Sequence, residues 1–240
     1  MSLPSSPPAW GKDEVTKHLD TMRNNSYATF ANLTPEFRKL LEIDKAFRLV
    51  CENLSHSDDW FSSFFIIRSH SSWLSAVSLS TSAQIPDTYV VLRAALESAL
   101  YGLHISKNPE LKEVWLQRGE SSQHNTKVRE QFKFRPLIDT LDNENSKEAE
   151  VAKKLYNQCI DDGAHPNERG FMGNLNMEKN GGDVHFTVKY LNPEPLPLRL
   201  ALKSTARVGV CILGIFSHVY KKRFEILGIT DQLPNLRDGL

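Results

Sequence analysis

Apolar side chains recur every three or four positions through most of the chain, the spacing that gives a helix one buried face. Thr34-Pro35-Glu36 sets a capping residue before a first-turn proline and an acid, which predicts a helix over 35–54. Asp58 stands where it can cap a second helix. The aromatic entry of this helix, Trp60, Phe61, Phe64 and Phe65, continues through Trp73, Leu74 and Val77 until Gln84-Ile85-Pro86 interrupts it. A third, over 87–106, carries Val90, Val91, Leu92, Ala95, Leu96, Ala99 and Leu100 on nearly every face, as a helix at the centre of a core does. The short connection near residue 85 makes the second and third an antiparallel helix hairpin. Shorter helices are expected over 110–117, 126–141 and 147–162. The longest is expected over 198–226, where Leu198, Ala201, Thr205, Val208, Ile212, Ile215 and Val219 form the seam of a bundle helix.

One stretch changes period. Residues 171–178 and 183–190 flank Lys179-Asn180-Gly181-Gly182, and Asn180-Gly181 suits a two-residue type I′ turn, whose central positions both need positive φ. That turn pairs Met177 with Val184, Leu175 with Phe186, Gly173 with Val188 and Phe171 with Tyr190, four pairs on one face that helices would cover. The expected fold is therefore mostly α: a helical bundle with an antiparallel helix hairpin and one small β-hairpin. Residues 1–14 read as a flexible tail, 15–230 as a single helical domain with the β-hairpin inserted at 171–190, and 231–240 as a C-terminal tail.

Composition changes this picture little. Apolar residues are 40% and charged residues 24% of the 240, as in an ordinary packed protein, and 29 basic residues balance 29 acidic ones. No global field draws the chain to nucleic acid or an anionic membrane. Cys51, Cys159 and Cys211 are scattered without metal-ligand spacing, which fits reduced thiols in the cytoplasm and no metal. The start of the chain lacks a basic, apolar signal. The most apolar window, 208–216, is short for a bilayer and reads as core, so no membrane contact is expected. No nucleophile elbow, phosphate loop, dinucleotide glycine pattern or His-Glu-x-x-His occurs, and no cofactor is implied.

Four groups of residues bear on chemistry. Arg93 and Glu97 lie inside an apolar run, where charges need partners. In the helix hairpin Glu97 is level with Ser72, and Arg68 is one turn away, so Arg68, Ser72, Arg93, Glu97, Tyr101 and His104 gather as a polar cluster. That cluster is either a network fixing helix register or a pocket for an anionic ligand, with Arg93 and Glu97 largely buried. His165, in Gly163-Ala164-His165-Pro166, sits on a turn that ends a helix and can present its imidazole for acid–base work. Arg118 and His124 are separated by five residues. Arg199, Lys203 and Arg207 share a helix face, either solvated, paired with the acidic stretch 142–150, or open to RNA.

The Arg118–His124 spacing resembles the RNA-cleaving motif of HEPN-type helical domains. The resemblance implies a metal-independent ribonuclease of a toxin or phage-defence kind, with Arg118 and His124 near the scissile phosphate across a dimer interface. More broadly, residues 60–170, with LRAALESALYGLHI and DDGAHPNE, resemble a family of bacterial helical proteins known only as a domain of unknown function. That resemblance implies a helical fold and matches Arg93, Glu97 and His165 to the family's Arg-x-x-x-Glu and His-Pro elements; it brings no activity. Two functions are expected from this chain: a helical interaction or regulatory module without catalysis, forming a homo-oligomer or binding a protein partner, or the ribonuclease.

Overall fold

The computed structural model describes residues 6–54, 60–164, 175–180 and 183–240. Among them are eleven α-helices and one two-stranded antiparallel sheet, the mostly α bundle with a β-hairpin that the periodicity predicts. Helix α1, Glu14–Asn32, lies in a region where no apolar stripe announces it. It begins at Asp13, whose carboxylate accepts the Thr16 N–H at 2.9 Å. Its far end is tied to the body by Thr29, whose hydroxyl donates to Thr81 O at 2.8 Å. Trp10, in the segment read as a tail, donates from Nε1 to Asp20 at 2.8 Å.

Helix α2, Thr34–Glu52, starts without a side-chain cap: Thr34 is already helical, and its hydroxyl turns back to the carbonyls of Phe30 and Ala31. Asp58, the expected cap of the next helix, lies outside the described residues. Helices α3, Ser62–Thr81, and α4, Ile85–Lys107, form the expected antiparallel hairpin. Ala83 takes φ +69° in the connection, and Gln84 N–H reaches Leu79 O at 2.9 Å, the six-residue closure of a helix C-terminus. The polar region after α4 is more helical than its composition suggests. Helix α5, Leu111–Leu116, runs into a 3₁₀ turn, Gln117–Gly119, and then into α6, Ser122–Gln131. The single helix expected over 126–141 is two, because the chain breaks at Phe132 and Lys133 before α7, Phe134–Glu144. Helix α8, Ser146–Cys159, follows, capped by Asn145.

The sheet pairs β1, Leu175–Asn180, with β2, Asp183–Val188, in the register Leu175 with Val188, Met177 with Phe186 and Asn180 with Asp183. The expected register, which set Met177 against Val184 and Leu175 against Phe186, is two residues out: Asn180, expected inside the turn, pairs with Asp183. A two-residue slip keeps every side chain on its own face, so one-sided pairing cannot distinguish these registers. Phe171, Gly173 and Gly181 lie outside the described residues. Nor is the apolar face covered: Met177, Val184, Phe186 and Val188 are all exposed, Phe186 by 64%.

After an extended connector, whose Asn192 N–H donates to Ala83 O at 2.8 Å, comes α9, Pro195–Val219. It is long and apolar enough to cross a bilayer, yet 78% of its most apolar window is buried inside the fold. The predicted helix over 198–226 breaks at Tyr220 into α9 and α10, Lys221–Ile226. The C-terminal tail is largely a helix, α11, Ile229–Arg237, whose Ile229, Leu233 and Leu236 are buried. Helix α4 lies at the centre, against α3, α9, α7 and α8, with Leu92, Leu96, Leu100 and Leu103 fully enclosed.

Two glycines let these helices meet closely. A Cβ on Gly209 would stand 2.5 Å from Trp73 Nε1 and 2.9 Å from Ile43, and one on Gly102 would stand 2.9 Å from the Phe65 Cβ. Gly209→Ala gains about 1 kcal/mol of helix propensity but overpacks a filled contact at about 1–3 kcal/mol. A net loss of about 1–2 kcal/mol is expected in urea unfolding. Gly119→Ala, which meets nothing within 4 Å, should leave the transition in place.

Candidate functional site

Four polar residues of α4 and its C-cap Asn108 lie on one stripe. Arg93, Glu97, Tyr101, His104 and Asn108 follow spacings of four, four, three and four, so they succeed one another along one side of the helix. That side faces α6, α7 and α8. Arg93 Nε donates to Glu97 Oε1 at 3.0 Å and Nη2 to the Tyr156 hydroxyl at 2.9 Å, and the hydroxyl donates in turn to Glu97 Oε1 at 2.9 Å. The guanidinium also lies 5.0 Å from the Tyr156 ring centre, and Phe134 stacks on the same ring at 3.8 Å. Burial pushes the Tyr156 phenol up, and the charge of Glu97 pushes the same way, so the hydroxyl keeps its proton and can donate.

Further along, Tyr101 donates to Phe132 O at 3.2 Å. Burial raises its phenol as well, and Glu97 adds to this, while the nearby charge of Arg118 opposes both. His104 is buried, with Nδ1 2.6 Å from Thr140 Oγ1, and burial holds its imidazole below the ordinary value, so it is neutral at pH 7. Thr140 spends its own proton on Pro136 O at 3.0 Å, which leaves the hydroxyl oxygen to accept from His104 Nδ1–H.

Arg93, Glu97, Tyr101 and His104 thus share a stripe as expected, but Arg68 and Ser72 do not join it. Gly102 touches Phe65 of α3, and Arg93, nine residues away, points about 180° from it at about 100° per residue. Equal height in a helix hairpin does not mean the same side. Arg68 is exposed, Ser72 is a buried residue of α3, and the partner is Tyr156. The side chains of Arg93 and Glu97 are 27% and 36% exposed, so the pair is half-buried rather than enclosed.

Arg118 is exposed in the 3₁₀ turn, and His124 stands in the first turn of α6. Ser121 caps that helix by accepting the His124 N–H at 3.2 Å and lies 2.9 Å from its Nδ1. Among the described residues no hydrogen bond joins Arg118 to His124. His165 lies outside the described residues. On α9, Arg199 pairs with Glu36 of α2, Lys203 is half-buried and Arg207 is exposed.

A second charged group escaped the sequence. Glu148 of α8 accepts from Arg237 Nη2 at 2.5 Å and meets His218 Nε2 at 2.7 Å, while Lys107 reaches Glu144 at 2.8 Å close by. These residues come from α4, α7, α8, α9 and α11, and no local spacing links them. Gly214 makes the crossing possible, since a Cβ there would stand 3.1 Å from both Glu148 and Arg237. Burial pushes the Glu148 carboxyl up, but hydrogen bonds and charge from His218 and Arg237 prevail and hold it below its ordinary value. No group of three metal-ligating side chains occurs among the described residues.

No family model, curated protein or solved structure matches the chain.

Tyr156→Phe removes the hydroxyl between Arg93 and Glu97 and should cost about 1 kcal/mol in urea unfolding. Glu97→Ala should cost about 1–2 kcal/mol, below the ~3 kcal/mol or more of a fully enclosed charge. Glu148, with its folded value depressed, stabilises the fold fully above its unfolded value near 4.5 and loses that contribution as pH falls through the folded value. Glu148→Gln should therefore cost about 2 kcal/mol at pH 7 and flatten the loss of stability between about pH 5 and 3.

Proposed function

We propose that this chain is a non-catalytic helical interaction module that pairs with a second copy of itself through the apolar face of its β-hairpin. The observation that carries this is the hairpin's two-sidedness. Leu175 and Met177 of β1 and Val184, Phe186 and Val188 of β2 share one face, while Asp183, His185 and Thr187 occupy the other, and every β2 residue is exposed. A lone two-stranded hairpin is marginal in water, and a contiguous apolar face of this kind marks a contact surface. Tyr190 and Leu196, both largely exposed, extend the patch into the connector and the start of α9. A second copy is the occupant because the face has one charged position, Lys179 opposite Val184 at its turn end, and is otherwise apolar, and the whole chain, with zero formal net charge, has no long-range repulsion to overcome.

The polar stripe on α4 then has a structural role, holding α8 against α4. In sedimentation equilibrium the protein should dimerise with a Kd of about 10 µM, and Phe186→Asp should be monomeric with unchanged helical circular dichroism. A monomer throughout this range, or a dimer indifferent to Phe186→Asp, would overturn the reading. RNA cleavage in the presence of chelator, abolished by His124→Ala in a folded protein, would put the HEPN-like ribonuclease in its place.

A further inference from the structure

We infer that the cleft between α8, α9 and α11 binds an amphiphilic monoanion, a carboxylate carrying an apolar chain of roughly ten carbons. The cleft has a volume of about 550 Å³, within the range of small-molecule sites. Two cross-links set its orientation. Gln158 Nε2 donates to Ser204 Oγ at 3.0 Å at one end, and Glu148 meets His218 at 2.7 Å at the other, so α8 and α9 run antiparallel past each other. Ten residues of α8 separate these ties, about 15 Å at the helical rise, room for an extended chain of roughly ten carbons, about 12 Å, together with its carboxylate head.

The walls between the ties are apolar: Val151 and Leu155 on α8, Val210 and Cys211 on α9, and Leu240 after α11. With Gln158 level with Ser204 and α8 antiparallel to α9, Lys154 and Arg207 fall at one level, near the Gln158 end. Arg207 forms no ion pair with a described residue, and Lys154 meets only Glu150, an exposed i, i+4 pair worth about 0.3–0.5 kcal/mol and easily exchanged. At the opposite end Glu148 is committed to His218 and Arg237. Glu148 is therefore neutralised and the cation left at its end is Lys147 alone, so an anionic head is drawn to the two cations that share one level, Lys154 and Arg207, while its chain lies over Val151 and Leu155. A neutral lipid leaves these cations unused, and a small anion leaves the apolar walls uncovered.

The test is calorimetric titration of the full chain with decanoate, decanol and acetate at low salt, with decanoate kept below its micellar concentration. Decanoate should bind at least about tenfold more tightly than decanol, and acetate should give no measurable heat. Arg207→Gln should weaken decanoate about tenfold and leave decanol unchanged. Val151→Asp, at an exposed helical position that tolerates the change, should abolish decanoate binding by placing a like charge in the mouth. Phe186→Asp should leave decanoate binding intact, which separates this cleft from the hairpin face and makes the result independent of dimerisation. Equal affinity for decanoate and decanol, no binding of either, or indifference to Arg207→Gln and Val151→Asp would overturn the assignment. So would loss of binding in Phe186→Asp, since the amphiphile would then sit on the hairpin.

Discussion

The indole of Trp73 lies against the backbone of α9 where Gly209 has no side chain, and its Nε1 donates to Thr205 O at 2.9 Å. That carbonyl sits four residues before Gly209 in the same helix. Its second lone pair lets it serve the helix and the indole together. The contact therefore fixes both the distance between α3 and α9 and their register, and Phe47 of α2 closes it from the side at 5.5 Å from the Trp73 ring. Gly102 does the same between α4 and the Phe65 Cβ and the Phe216 ring. With α3 and α9 held this close, α4 has only enclosed apolar faces on their side, and its polar stripe can emerge only on the far one.

This geometry explains what the α4 stripe does. Arg93 and Glu97 alone would form an ordinary i, i+4 pair of small value. The Tyr156 hydroxyl, donating to one and accepting from the other, turns the pair into a closed triangle across two helices, and Phe134 stacked on the Tyr156 ring carries α7 into the same arrangement. Such a network favours one setting of α8 against α4 over its neighbours, because sliding by a turn would pull the Tyr156 hydroxyl away from both Arg93 and Glu97. The energy at stake is small where a third of the charge meets water, so the role is one of specificity more than of stability.

How much of this was legible in the sequence depends on whether the cause is local. Helices α2, α3, α4 and α9 announce themselves through apolar periodicity because each lays at least one apolar face into the core. Helix α1 does not, since Thr29 is its one buried residue and tertiary bonds near Thr81 hold it. The hairpin shows the limit of parity: alternation reveals which residues share a face, and neither the register nor what covers it. The stripe Arg93, Glu97, Tyr101 and His104 was visible as charge and polarity inside an apolar run. Its partner was not, because Tyr156 lies 59 residues beyond Glu97 on a helix whose angle to α4 no local pattern records. Height along the hairpin suggested Arg68 and Ser72; rotation about the helix axis excluded them.

The zero net charge of the chain hides an uneven arrangement. Acids that lie against the body are drawn into pairs: Glu36 with Arg199, Asp44 with Arg48 and His70, Glu97 with Arg93, Glu144 with Lys107, Glu148 with Arg237 and His218. Each pair crosses between helices or braces one, and each removes an acid from the surface field. Around the α8–α9 cleft the lining cations Lys147, Lys154, Arg207 and Arg237 face a single lining acid, Glu148, which Arg237 already neutralises. Lys147 and Arg207 have no acidic partner among the described residues, so a chain balanced overall keeps a local positive excess beside an apolar wall. Electrostatics decays within about 8–10 Å in physiological salt, and a ligand at the cleft therefore meets that local excess and not the balanced total.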